Sequence, residues 1–174
     1  EDETWNAAGV YESAQAWEEA RQAIADDLES LQGFAGTLGD DSTTLASWLE
    51  TAAEMNRRVT RLYFYAAMSQ AVETTNQQAI AMTSRAGSLY SQIGAASSFA
   101  EPEMLAIGEE RILQWVQDEP RLTLYRHFFA DLFRQAEHVR SGEVEEVLAL
   151  ASDPFQAISN TKEMMTGADL RFSP

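Results

Sequence analysis

The sequence predicts an all-α protein: an antiparallel helical bundle with a long central αα-hairpin, followed by shorter helices. Two observations carry this. Of 174 residues, 27 are alanine, the best helix former, only four are proline, and clusters of β-branched residues are few. Apolar residues also recur at steps of three and four, the spacing that places them on one helical face.

The elements follow in order. Ser13 is the N-cap of a first helix that runs to about Phe34, with Trp17, Ala20, Ile24, Leu28, Leu31 and Phe34 on one face. Gly33 and Gly36 are placed to end it through left-handed caps. After Gly39-Asp40-Asp41, a second N-cap is expected among Ser42, Thr43 and Thr44. The second helix is the longest, from about Thr44 to Val72, with a buried stripe of Leu45, Leu49, Ala52, Met55, Val59, Leu62 and Ala66. Thr74-Thr75-Asn76 turns the chain into a third helix carrying Ile80, Thr83, Ala86, Tyr90, Ile93 and Ala96. Its small residues, among them Gly87 and Gly94, predict close helix approach. Glu101-Pro102-Glu103 is expected to break or kink that helix, because proline lacks the N–H and clashes with the preceding turn. Shorter helices are expected near 109–117, 121–136 and 143–152, with Pro120 in a first turn, then one from Pro154 to Gly167 and an extended exit.

Composition excludes several functions. The absence of cysteine removes disulfides, thiolate metal sites and cysteine nucleophiles. A net charge of −16 excludes a nucleic-acid partner and an anionic membrane surface, since nothing here would release counterions from phosphates. Residues 1–56 hold 13 of the 28 acids and a single base, Arg21. A GC-rich genome or a salty habitat produces such a surface, as does a need to repel anions or meet a basic partner. No stretch approaches the roughly 18 apolar residues that cross a bilayer, and no signal-peptide pattern opens the chain. The start, Glu1-Asp2-Glu3 without Met, and the end at Pro174 are the edges expected of a processed chain or an excised piece.

Catalytic and metal residues are not found. His127 and His138, eleven residues apart, would share a helical face at about 16 Å along the axis, too far for one zinc. His127 with Asp131 reads first as a solvated i, i+4 pair, and His138 as a cation near a helix end. There is no His-Glu-x-x-His, no Glu-x-x-His, no phosphate-cradling glycine loop and no Gly-x-Ser-x-Gly. Glu109/Glu110 and Glu145/Glu146 read as solvated carboxylates. The run Leu62-Tyr63-Phe64-Tyr65 stands apart: four large residues in succession point to every side of a helix. Either the core is thick there, or part of the run faces another domain. Trp48, Trp115 and Phe128-Phe129 raise the same question.

Four stretches then form a pattern. Glu73-Thr74-Thr75-Asn76 follows the long helix with its aromatic run, and Ser98-Phe99-Ala100-Glu101-Pro102-Glu103-Met104-Leu105 closes the next helix. Leu124-Tyr125-Arg126-His127-Phe128-Phe129 and Gly167-Ala168-Asp169-Leu170-Arg171-Phe172 come after. In this order and spacing they resemble the N-terminal helical region of oligoendopeptidase F and its thimet-oligopeptidase-like zinc metallopeptidase relatives, from about Trp5 to Phe172. Gln77 and Glu137-His138 depart from the pattern, where relatives often carry Pro and Pro-His.

The resemblance implies a larger enzyme whose later domain supplies two zinc-binding histidines, a glutamate ligand and a glutamate that activates the zinc-bound water. This region would form one wall of a deep channel admitting short peptides. The chain would then bind no cofactor itself, with zinc in the parent enzyme, and hold no catalytic residue. Its partners would be its own catalytic domain and oligopeptide substrates, in the cytoplasm. Residues 1–106 would form the bundle with the long hairpin, and 107–174 the shorter helices leading into an absent catalytic domain. Tyr63, Phe64, Tyr65 and Trp115 are the candidates for the interdomain contact or channel wall. The alternative is a free-standing helical protein–protein interaction module.

Overall fold

Side-chain caps set where the helices begin. The structure, a computed structural model, describes residues 6–136. The helices expected over 143–152 and 154–167, the exit at 168–172, His138 and the Glu145/Glu146 pair lie outside the described residues. After a 3₁₀ turn at Ala7–Gly9, the Ser13 hydroxyl accepts the Ala16 N–H and opens α1 (Ala14–Asp26). The helix stops at Asp27 and restarts as α2 (Leu28–Gln32), so the single helix expected to Phe34 is two. Of the two glycines expected to end it, only Gly36 is left-handed, with φ +82°, while Gly33 is right-handed.

The second cap is Asp41, outside the expected Ser42–Thr44. Its carboxylate takes the Thr44 N–H at 2.7 Å and starts α3 (Ser42–Val72). That hydrogen bond holds the Asp41 carboxyl below its ordinary range. Asn76 caps α4 (Gln77–Ala96), accepting from both Gln78 and Ala79 N–H. α4 ends before the proline: Ser97–Phe99 interrupts the helix, and Pro102 lies in the first turn of α5 (Ala100–Ile107), where its missing N–H costs nothing. Gly108, at φ +89°, makes the sharp joint to α6 (Glu109–Asp118). A 3₁₀ segment (Pro120–Tyr125) then leads into α7 (Arg126–Ala136), replacing the start of the helix expected over 121–136.

The chain divides into two compact units, residues 1–133 and 134–174. The described elements belong to the first, apart from the last turn of α7; residues 106 and 107 are in α5. Two apolar clusters fill the first unit. One joins Trp17, Ile24 and Leu31 to the second half of α3 (Met55, Val59, Leu62, Ala66) and to α4 (Met82, Ala86, Leu89, Ile93, Ala96). The other joins Leu38 and the first half of α3 (Leu45, Trp48, Leu49) to α5, α6, the 3₁₀ segment and α7. The stripe expected on α3 is buried, with Ala52 half-buried and in contact with both clusters. On α4, Ala86, Ile93 and Ala96 of the expected set are buried, and the other half of the set is not. Ala79, Met82 and Leu89 are inside, whereas Ile80 and Thr83 are half-buried and Tyr90 is exposed. Nothing lies within 4 Å of where a Cβ would stand on Gly87 or Gly94, so neither makes the close helix approach expected of it.

Candidate functional site

The aromatic run on α3 separates into two parts. Leu62 is fully buried, and its carbonyl accepts the Trp17 Nε1–H at 3.0 Å. Tyr65 is half-buried against the first cluster and meets Tyr11 edge-on at 5.2 Å between ring centroids. Burial pushes the Tyr11 phenol up, against the pull of Arg61 and Arg58. Tyr63 and Phe64 face outward at 40% and 61% exposure, with their rings edge-to-face at 6.3 Å. The core takes two of the four residues and leaves two.

Those two line a shallow apolar concavity of about 380 Å³, together with Thr60 on α3 and Gly87 and Tyr90 on α4. Tyr90 is 44% exposed, and its hydroxyl is held by Asn56 Oδ1 at 2.9 Å. Helical spacing continues the apolar strip from Phe64 to Met68, also exposed, with Val72 at its edge. Trp115 is elsewhere. It is half-buried against the second cluster, with the Arg111 guanidinium over its ring at 4.9 Å. The structure therefore brings Tyr63 and Phe64 together, sets Tyr65 inside, and keeps Trp115 on another element.

Tyr90, Gly87, Thr60 and Met68 were missing from the sequence-based set, although a signal for them exists. Between residues 55 and 100 the only acid is Glu73, against Arg57, Arg58, Arg61 and Arg85. That stretch carries +3 in a chain of −16. The arginines have local partners. Arg57 forks onto Glu54 at 2.7 and 2.8 Å, Arg58 pairs with Asp27 at 2.6 Å, and Arg85 pairs with Glu18 at 2.9 Å. Arg61 donates to the Val10 carbonyl at 2.7 Å and lies over the Tyr11 ring. None of them lines the concavity, whose five lining residues are uncharged.

The remaining polar clusters have structural roles. Arg121 ties the 3₁₀ segment to α3 through Glu50 at 3.1 Å and Ser47 Oγ at 3.3 Å, and its bond to Glu119 holds that carboxyl low. Glu103 reaches back to the loop before α3, accepting the Gly36 N–H at 2.6 Å and the Leu38 N–H at 3.3 Å. His127 and Asp131 form an i, i+4 contact at 3.3 Å with the imidazole in solvent. Glu109 and Glu110 stand exposed in the first turn of α6, favourably placed at the positive end of its dipole. Among the described residues no three His, Cys, Asp or Glu side chains are grouped to hold a metal, so these residues do not fit a zinc centre. None of the described helices is long and apolar enough to cross a membrane.

A family model described as Oligopeptidase F matches residues 103–172. Oligopeptidase PepF of Bacillus subtilis is 30% identical over 98% of this chain and 26% of its own length. Group B oligopeptidase PepB of Streptococcus agalactiae is 32% identical over 97% of this chain and 28% of its own. The crystal structure of oligoendopeptidase-F from Enterococcus faecium superposes with a TM-score of 0.75 at 31% identity, covering 92% of this chain and 32% of that one. The chain thus spans about a quarter to a third of these relatives' length. Over nearly all of its own length, the chain corresponds to the N-terminal region of the oligoendopeptidase F family.

Proposed function

We propose that this chain is the non-catalytic N-terminal helical part of a zinc-dependent peptidase that hydrolyses short peptides, and that it forms one wall of the channel those peptides enter. One observation carries the reading: almost the whole chain aligns with a minor part of proteins named oligopeptidases. The zinc ligands and the water-activating glutamate belong, on this reading, to the remainder of the polypeptide. The described residues assemble no alternative metal site. A cytoplasmic location belongs to the same proposal and rests on the family resemblance. Tyr63 and Phe64 support a contact beyond this chain because they are large, apolar and outward-facing.

The test compares the 174-residue chain with a polypeptide extended to the relatives' length, both with zinc and a quenched fluorescent peptide of fewer than about ten residues. The chain alone is expected to show no zinc-dependent cleavage, and the extended polypeptide to cleave. Cleavage by the chain alone overturns the proposal, as does a stop codon directly after Pro174. A self-contained interaction module, favoured by the same exposed aromatics, predicts that stop codon.

A further inference from the structure

We infer that the strip formed by Thr60, Tyr63, Phe64 and Met68 on α3 with Gly87 and Tyr90 on α4 is the docking surface for an uncharged, apolar face of the polypeptide that lies outside this chain. The inference rests on the peptidase reading and sharpens it: the strip meets protein, and the substrate peptide passes elsewhere. Charge is the first ground. Interface centres are depleted of charge and enriched in Tyr, Phe and Met. This chain, with 28 acids, places a single one between residues 55 and 100. The four arginines of that stretch have local partners, three in salt bridges and Arg61 on a main-chain carbonyl. No charged side chain lines the concavity itself, so a charged partner face would meet no counter-charge there. Area is the second ground. From Thr60 to Val72 the strip is about 18 Å long at 1.5 Å per residue, and two neighbouring helix axes are about 10 Å apart. Such a patch is well short of the roughly 800 Å² per partner that a freely diffusing protein needs. It suffices for a segment of the same polypeptide, which meets it at an effective concentration of the order of millimolar. That disfavours a second copy of the chain. Relatives with more than two-thirds of their length beyond this region have such a segment available. Gly87 fits the same reading, being half-buried in a helix interior with nothing within 4 Å of its Cβ direction.

The experiment places the photocrosslinker p-benzoylphenylalanine at Phe64 in the extended polypeptide and irradiates it with and without an oligopeptide substrate. Mass spectrometry is expected to find the crosslink within the same polypeptide beyond residue 174, unchanged by substrate. Crosslinks mainly to the added peptide, to a second copy, or to nothing overturn the inference. A second variant, Gly87→Leu, gains helix propensity, so the melting temperature of the 174-residue chain should rise by roughly 2–4 °C. In the extended polypeptide the same side chain obstructs docking, and the melting temperature should fall. Equal shifts in both overturn the inference. The two proposals fail separately. An extended polypeptide that crosslinks internally but cleaves nothing sinks the peptidase reading alone, and one that cleaves but crosslinks its substrate sinks the docking alone.

Discussion

The Nε1–H of Trp17 donates to the main-chain carbonyl of Leu62 at 3.0 Å, joining α1 to the middle of α3 across 45 residues of sequence. Trp48, the other buried tryptophan among the described residues, packs edge-on to Phe99 at 6.1 Å between centroids, and its Nε1–H has no partner. The two indoles should respond differently to loss of the ring N–H. Trp17→Phe removes a buried hydrogen bond as well as volume and should cost about 2–3 kcal/mol. Trp48→Phe removes a donor that was desolvated without compensation and should cost about 1 kcal/mol or less. Urea unfolding of the two variants checks the order.

Gly36→Ala and Gly87→Ala should move stability in opposite directions. At Gly36 the positive φ makes a Cβ unfavourable by about 1 kcal/mol even though the surrounding space is open. At Gly87 the backbone is helical and the space is also open, so alanine should stabilise by about 0.5–1 kcal/mol. Unfolding midpoints of the isolated chain measure both.

Glu103→Gln should loosen the loop before α3 without unfolding the bundle. The variant replaces a carboxylate that accepts two main-chain N–H groups with an amide that has one acceptor oxygen. A loss of about 1 kcal/mol is expected. Amide exchange at Gly36 and Leu38 should quicken about fivefold, the rate factor that corresponds to 1 kcal/mol. Unchanged exchange at both amides would remove this role from Glu103.

Acid should weaken the start of α3. The folded-state pKa of Asp41 is depressed, chiefly by the Thr44 N–H, so its stabilising contribution is fully present above the ordinary carboxylate value. That contribution disappears as pH falls through the lower folded value. Glu54, held low by Arg57, and Glu119, held low by Arg121, act in the same direction. Asp41→Asn keeps an oxygen for the cap and loses the titration. Its melting temperature should match the parent near neutrality and fall less steeply below about pH 4.

Where the sequence pattern had one solution, the reading and the structure agree. α3 alternates clearly between apolar and polar turns, and its stripe from Leu45 to Ala66 is the buried one. On α4, where Arg85 is the only charge, the pattern marked Ala86, Ile93 and Ala96 correctly but left Met82 and Leu89 against Ile80 and Tyr90 undecided. Tertiary packing chose. The cap at Asp41 escaped because five residues in a row, Asp40 to Thr44, could each cap a helix, and only geometry separates them. The outward-facing part of the aromatic run was legible as a surplus that one core could not bury. Its companions on α4 were not, because their proximity is a property of the hairpin and of neither helix alone.

Ala52 touches both apolar clusters, and α3 is the element they share. Thirty-one helical residues make a rod about 46 Å long, clamped at one end by α5 and α6 and at the other by α1 and α4. Phe64 is therefore aimed by residues it never meets. A core change at Leu49, about 22 Å along the rod, would tilt the beam and swing the aromatic strip with it. A search for the determinants of that surface has to include the far end of the helix.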